Sequence, residues 1–170
     1  MKSQENLYFS FQKISGIYFR VFTTKKGIRR IYLNDKEAKI KSASLTKLHP
    51  DDPYMYNIFA ELKEYFNRER KKFTVPLDVL GTDFQKKVWN ELLKIPYGQL
   101  MTYKAIAIML GNENAMRAVG RANATNHAPI IIPCHRVIAS NGKLGGYSGG
   151  VSLKEKLLEL EGSLSLELFE

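Results

Sequence analysis

The sequence has 170 residues, 44% apolar and 25% charged, a balance that suits one or two small folded domains and excludes a disordered polymer. Its longest apolar run, around Ile130, Ile131 and Ile132, falls well short of the roughly 18 residues of a membrane span, and the polar start Met1-Lys2-Ser3-Gln4-Glu5-Asn6 has no signal-peptide core. A cytoplasmic protein without membrane contact is expected. Lys and Arg number 26 against 17 Asp and Glu, a net charge of +9, which favours polyanionic partners.

The first third reads as strands. Aromatic and β-branched runs at residues 10–12, 17–23 and 30–33 are punctuated by Ser15-Gly16 and Lys25-Lys26-Gly27. Asp52-Pro53 then opens a helix, Asp as cap and Pro in the first turn, with Tyr54, Ile58, Leu62 and Phe66 at helical spacing. The run Arg68-Glu69-Arg70-Lys71-Lys72 reads as a solvated helix end, and residues 73–81, with Pro76 inside, as an extended linker. We therefore expect a strand–helix domain over 1–80 and a second domain over 81–170.

The second part carries stronger signals. Thr82-Asp83-Phe84-Gln85 is a capping box, followed by Phe84, Val88 and Leu92 with Trp89 and Leu93 on one face, and Pro96-Tyr97-Gly98 closes that helix. Thr102 caps a short helix over 103–110 that ends at Gly111, and a third helix is expected over 114–125. Two short helices around a Gly turn match a helix-turn-helix. Ala115, Ala118, Gly120, Ala122 and Ala124 leave the third helix with little bulk, which fits either tight helix packing or close approach to a nucleic-acid groove. Ser152-Leu153-Lys154-Glu155 reads as a second capping box, opening a last helix with Leu153, Leu157, Leu158 and Leu160 that closes at Gly162. Across 84–154 nine basic groups face only Glu91 and Glu113, a composition suited to a surface that meets phosphate.

The one cysteine, Cys134, excludes an intramolecular disulfide, and the three histidines lack the spacing of a metal site. A lone thiol is usually a small buried hydrophobe. Here, however, an apolar, strand-like stretch within 128–139 leads through Pro133 to Cys134, His135 and Arg136. A thiolate is the reactive form, so a proton acceptor and a positive neighbour are the residues such a nucleophile needs. Neighbours on a strand point oppositely, so adjacency alone does not prove contact between thiol and imidazole, and a bridging water could close the gap.

The whole motif decides between these readings. Pro129-Ile130-Ile131-Ile132-Pro133-Cys134-His135-Arg136-Val137 resembles the active-site signature of the O6-alkylguanine-DNA alkyltransferases, also called methylated-DNA–protein-cysteine methyltransferases. Ile95-Pro96-Tyr97-Gly98, Thr102-Tyr103, Arg117-Ala118-Val119-Gly120, Asn126, Gly145-Gly146-Tyr147-Ser148-Gly149-Gly150 and Leu158-Glu159-Leu160-Glu161-Gly162 follow in family order, so the resemblance covers about residues 82–162. It implies an α+β protein: a small RNase H-like amino-terminal domain, then an α-rich, winged-helix-like domain with a helix-turn-helix.

The resemblance further implies direct reversal of O6-alkylguanine in double-stranded DNA by a single-turnover transfer to Cys134. O4-alkylthymine is left open as a second substrate. No cofactor and no metal are implied, and the protein is expected to act as a monomer. His135 would take the thiol proton through a water, Glu161 would orient the imidazole, and Tyr103 would donate toward the leaving base. Asn126 would hold the active-site turn, Cys134 and Val137 would offer carbonyls to the exocyclic amine, and Ser148 an N–H to O6. The Gly145–Gly150 loop, with Tyr147, would form the rim through which the base enters. Arg117 would fill the gap left by an extruded nucleotide, with Ala118, Gly120 and Asn123 on the DNA-binding helix. Two positions depart from the family pattern: His127 stands where Pro is common, and Asn123 where a hydrophobic wedge is frequent, which shifts strand separation toward Arg117. The rival readings are a Cys–His hydrolase, for which no oxyanion site is visible, and a helix-turn-helix regulator without chemistry.

Overall fold

The computed structural model describes residues 6–35, 37 and 44–164. The chain falls into two compact units, residues 1–80 and 81–170.

Among the described residues, four strands build the first unit: β1 (Leu7–Ile14), β2 (Ile17–Thr24), β3 (Gly27–Leu33) and β4 (Leu45–Lys47), in the order β3-β2-β1-β4. The hairpin between β1 and β2 closes on Ser15 and Gly16, both at positive φ (48° and 83°), as the favoured two-residue turn requires. β4 pairs in parallel with β1, Leu7 opposite Leu45; its three exposed residues carry no alternating pattern, which is why the sequence gives no sign of it. Helix α1 (Pro53–Phe66) starts at Asp52, whose carboxylate accepts from Tyr54 N at 3.1 Å. It buries Met55, Ile58, Phe59, Leu62 and Tyr65, each burial contributing about 1.5–3 kcal/mol. Ile58 and Leu62 lie on the buried stripe as expected, whereas Tyr54 is 46% exposed and Phe66 half-buried, their places taken by Met55, Phe59 and Tyr65.

The basic run after α1 is the exposed helix end expected: Arg68, at φ 64°, closes the helix, and Arg70 alone is half-buried, its Nε 2.6 Å from Glu64. One expectation for this unit is corrected. The 73–81 stretch is no free linker. Ile28 N donates to Pro76 O at 2.9 Å, Asp78 N donates to Ile28 O at 2.8 Å, and Arg29 reaches the Asp78 carboxylate at 2.5 Å.

The second unit contains α2 (Asp83–Leu92), β5 (Met101–Thr102), α3 (Tyr103–Met109), α4 (Met116–Ala124), β6 (Val137–Ile138) and α5 (Val151–Glu161). The Thr82–Gln85 capping box is formed in both directions, and Thr102 caps α3 by accepting from Ala105 N at 3.1 Å. β5 and β6 pair in parallel, Met101 opposite Val137. Val88, Trp89, Leu92, Ile106, Val119, Leu157 and Leu158 form the core, and Trp89 Nε1 donates to Ala122 O at 2.9 Å, tying α2 to α4. No described helix is long and apolar enough to cross a membrane.

Three local expectations differ here. The third helix begins as a 3-10 turn at Glu113–Ala115, with Asn112 as its side-chain cap, and becomes α-helical only at Met116. The last helix does not start at a Ser152 capping box. Gly150, at φ 87°, takes the cap position, so Ser152 already lies inside α5. The apolar stretch before Cys134 is a tight turn rather than a strand: Ile132 N donates back to Ala128 O at 2.8 Å, and Cys134–Arg136 form a second 3-10 turn.

Candidate active site

Asn126 explains why the isoleucine run turns. Its side chain donates to Ile132 O at 2.8 Å and accepts from Ala128 N at 3.0 Å, satisfying backbone groups that a strand would have paired. Ile130 is driven to φ 76°, a conformation that costs a β-branched residue about 1–3 kcal/mol, and full burial holds it there. Cys134 N donates to Ile132 O at 2.8 Å, which fixes the thiol at the end of this turn with 1% exposure.

Behind Cys134 lies a saturated carboxylate. Glu161, at the end of α5, accepts from His135 Nε2 at 2.9 Å, from Arg136 Nε at 2.8 Å and Nη2 at 2.9 Å, and from Gly98 N at 3.1 Å. Burial alone would raise its pKa, but the hydrogen bonds and charges of His135 and Arg136 bring it down to about 2. Arg136 also donates to Ile95 O at 2.6 Å, and Tyr97 Oη donates to Leu160 O at 3.0 Å. Gly98 lies 3.0 Å from Glu161 O at the position a Cβ would take, and its φ is 78°. The Ile95-Pro96-Tyr97-Gly98 motif is therefore the clamp that holds the end of α5, and only glycine fits its last position.

This geometry assigns the protons. Burial holds the His135 imidazole below its ordinary value, against the pull of Glu161, so the ring is neutral. Facing an ionised carboxylate, Nε2 carries the proton and Nδ1 is left as the basic nitrogen. Burial pushes the Cys134 thiol up to about 11, opposed by a hydrogen bond with Asn126 and the charge of Lys154. The thiol is thus protonated at rest, and Arg136, spent on Glu161, is not the positive neighbour expected for it.

That neighbour is Lys154. It is fully buried, and its ammonium donates to Val137 O at 2.5 Å and to Leu144 O; burial lowers its pKa to about 8. Lys154 thereby pins the Val137 carbonyl and the start of the Gly145–Gly150 loop to α5. It went unread as a site residue, although it shares the buried face of α5 with Leu157, Leu158 and Glu161, where two charges interrupt an apolar stripe.

Tyr103, Tyr147 and Asn123 belong to the surroundings of the thiol and of His135. Burial and the charge of Cys134 raise the Tyr103 phenol, against a hydrogen bond with Asn123, and Tyr103 Oη lies 3.2 Å from where a Gly145 Cβ would stand. Tyr147 sets its ring edge-on to His135 at 6.3 Å, with its hydroxyl buried and no hydrogen-bond partner among the described residues. Asn123, grouped with the DNA contacts from sequence, is 3% exposed and donates to Cys134 O at 3.4 Å. It faces the Cys134 turn because α4 packs that side inward, so it is not a surface contact. Ser148 is exposed in its loop. His127 packs its ring against Trp89 at 5.3 Å, so the position after Asn126 serves the α2 core.

Met116, Arg117, Ala118, Arg121 and Ala124 are the exposed residues of α4, with Gly120 half-buried. Arg117, Ala118 and Arg121 line a groove of about 530 Å³ with Thr82, Phe84 and Gln85 at the start of α2.

Residues 83–163 match the profile of the 6-O-methylguanine DNA methyltransferase DNA binding domain, and residues 16–79 that of its ribonuclease-like domain. The Methanosarcina acetivorans methylated-DNA–protein-cysteine methyltransferase is 47% identical over 132 residues, 78% of this chain and 85% of that protein. The inducible enzyme of that name from Bacillus subtilis is 37% identical over 98% of this chain and 96% of its own. The chain belongs to the methylated-DNA–protein-cysteine methyltransferase family. The crystal structure of Mycobacterium tuberculosis OGT in complex with DNA superposes with a TM-score of 0.82 at 36% identity, covering 96% of this chain and 99% of the other. Both units therefore have counterparts among methylated-DNA–protein-cysteine methyltransferases, the first in the ribonuclease-like domain and the second in the domain that holds Cys134.

Proposed function

We propose that this protein reverses alkylation of guanine O6 in duplex DNA by moving the alkyl group to Cys134, once per molecule, as a monomer and without an organic cofactor. The observation that carries this reading is a buried thiol on the same 3-10 turn as an imidazole whose Nε2 meets the Glu161 carboxylate at 2.9 Å. Such a thiol is quiet in solvent and becomes a nucleophile only when its proton has somewhere to go. His135 Nδ1 takes that proton through a bridging water. As the S–C bond forms, the C–O6 bond breaks, and Tyr103 supplies a proton to the departing guanine. The imidazolium and phenolate are reset through solvent, and the product is unmodified guanine and a thioether.

The reacting atom lies inside the base stack, so the nucleotide must be extruded. Arg117 fills the space it leaves, while Ala118 and Gly120 let α4 approach the minor groove. The flipped base is read by the Cys134 and Val137 carbonyls and the Ser148 N–H, with Tyr147 at the pocket wall. Mixing the protein with excess O6-methylguanine duplex should add one methyl per chain, about 14 Da on Cys134, and then stop, since a thioether has no mild route back to a thiol. Cys134→Ser should bind the DNA and gain no mass. Continued repair past one equivalent would point to a turnover enzyme, and binding without any mass gain to a regulator.

A further inference from the structure

Alone among the exposed residues of α4, Met116 is bulky and apolar. It opens the helix and is 44% exposed, followed by Arg117, while the other exposed positions are Ala118, Arg121 and Ala124. A single exposed methionine is unremarkable on most surfaces. Here the other exposed positions of α4 are small or cationic, so Met116 supplies the apolar bulk of the helix's exposed residues. Met116 opens the first turn of α4, directly after the 3-10 turn that ends at Ala115 and directly before Arg117 in the chain. The residue that sequence placed at the wedge position, Asn123, is committed to Cys134 O inside the pocket.

Resting on the alkyl-transfer reading above, we infer that Met116 is the apolar wedge of this protein. It enters the minor groove beside the extruded nucleotide and loosens the adjacent base step, while Arg117 occupies the vacated space. Unbranched apolar side chains do this work in minor-groove proteins, where partial unstacking opens the duplex, and the flexible thioether adapts to irregular gaps.

Single-turnover rates on three substrates test the assignment: a duplex carrying O6-methylguanine, the same lesion in an unpaired bubble, and free O6-benzylguanine. Met116→Ala should slow the duplex reaction about tenfold and leave the bubble and the free base near the parental rate. Met116→Leu, which keeps apolar bulk, should restore the duplex rate. A 2-aminopurine next to the lesion should brighten on binding of the parental protein and of Met116→Leu, and less with Met116→Ala. A parental duplex rate in Met116→Ala, an equal loss on all three substrates, or no rescue by Leu would overturn the wedge. If the parental protein itself transfers nothing to Cys134, the alkyl-transfer reading falls, and the wedge with it.

Discussion

Glu161 shows how much one residue can hold. Its carboxylate fixes the tautomer of His135, neutralises Arg136 and caps the Gly98 turn with four hydrogen bonds. Removing one partner from a buried ion pair leaves the other charge uncompensated, which costs about 3–5 kcal/mol. Glu161→Gln should therefore destabilise the protein by about that much in chemical denaturation. It should also abolish transfer to free O6-benzylguanine, because a neutral amide no longer holds the proton on Nε2. Full activity in a folded Glu161→Gln protein would mean that the imidazole needs no orienting partner.

At the scale of elements, α4 divides its labour by face. Val119, Ala122 and Asn123 turn inward, while Arg117 and Arg121 remain on the outside without a carboxylate on the same helix. On the proposed alkyl-transfer reading the inner face serves the thiol site and the outer face the duplex, so a change outside should spare the chemistry. Unstacking and unpairing a nucleotide cost a few kcal/mol. If Arg117 offsets about 1.4–2.8 kcal/mol of this, Arg117→Ala should slow duplex repair about 10–100-fold. Its rate on free O6-benzylguanine should stay near parental. Equal losses on both substrates would withdraw the finger role and place Arg117 in folding or chemistry.

For the whole molecule, the buried site couples stability to its own chemical state. A methyl on Cys134 Sγ adds volume where the thiol is 1% exposed, and overpacking costs about 1–3 kcal/mol. The alkylated protein should melt a few degrees below the free one, and an unchanged melting temperature would argue for an open site. The pH dependence has a definite sign. Because burial holds His135 below the ordinary 6.5, the unfolded chain takes that proton first as pH falls through 6.5, and stability declines. Glu161, at about 2 in the fold against an ordinary 4.5, adds stability that is present above 4.5 and lost toward pH 2. Both act in the same direction, so melting temperature should fall steadily on acidification from about pH 6.5. On the alkaline side Lys154, lowered to about 8, and Cys134, raised to about 11, act in opposite directions, and the profile should be flatter there. A flat acid limb would contradict the His135–Glu161 coupling.

Local chemistry was legible in the amino-acid sequence because it depends on neighbours within one turn. Examples are the Thr82–Gln85 capping box, the Thr102 cap, the Asp52-Pro53 start of α1 and the Gly162 close of α5. The Cys134-centred motif was legible too, through its resemblance to a family whose members share these blocks. Where glycine or a side-chain amide could redirect the backbone, local pattern misled. Gly150 took the cap from Ser152, and Asn126 bent an apolar run that read as a strand. Only the tertiary structure decided which charges sit with the thiol. Arg136 is next but one in sequence to Cys134, yet it is consumed by Glu161, 25 residues away. Lys154 and Asn123 come from two different helices to meet the Cys134 turn. Charges and amides reach their partners through packing, since a buried group must find compensation wherever the fold brings it, and sequence distance carries no information about that.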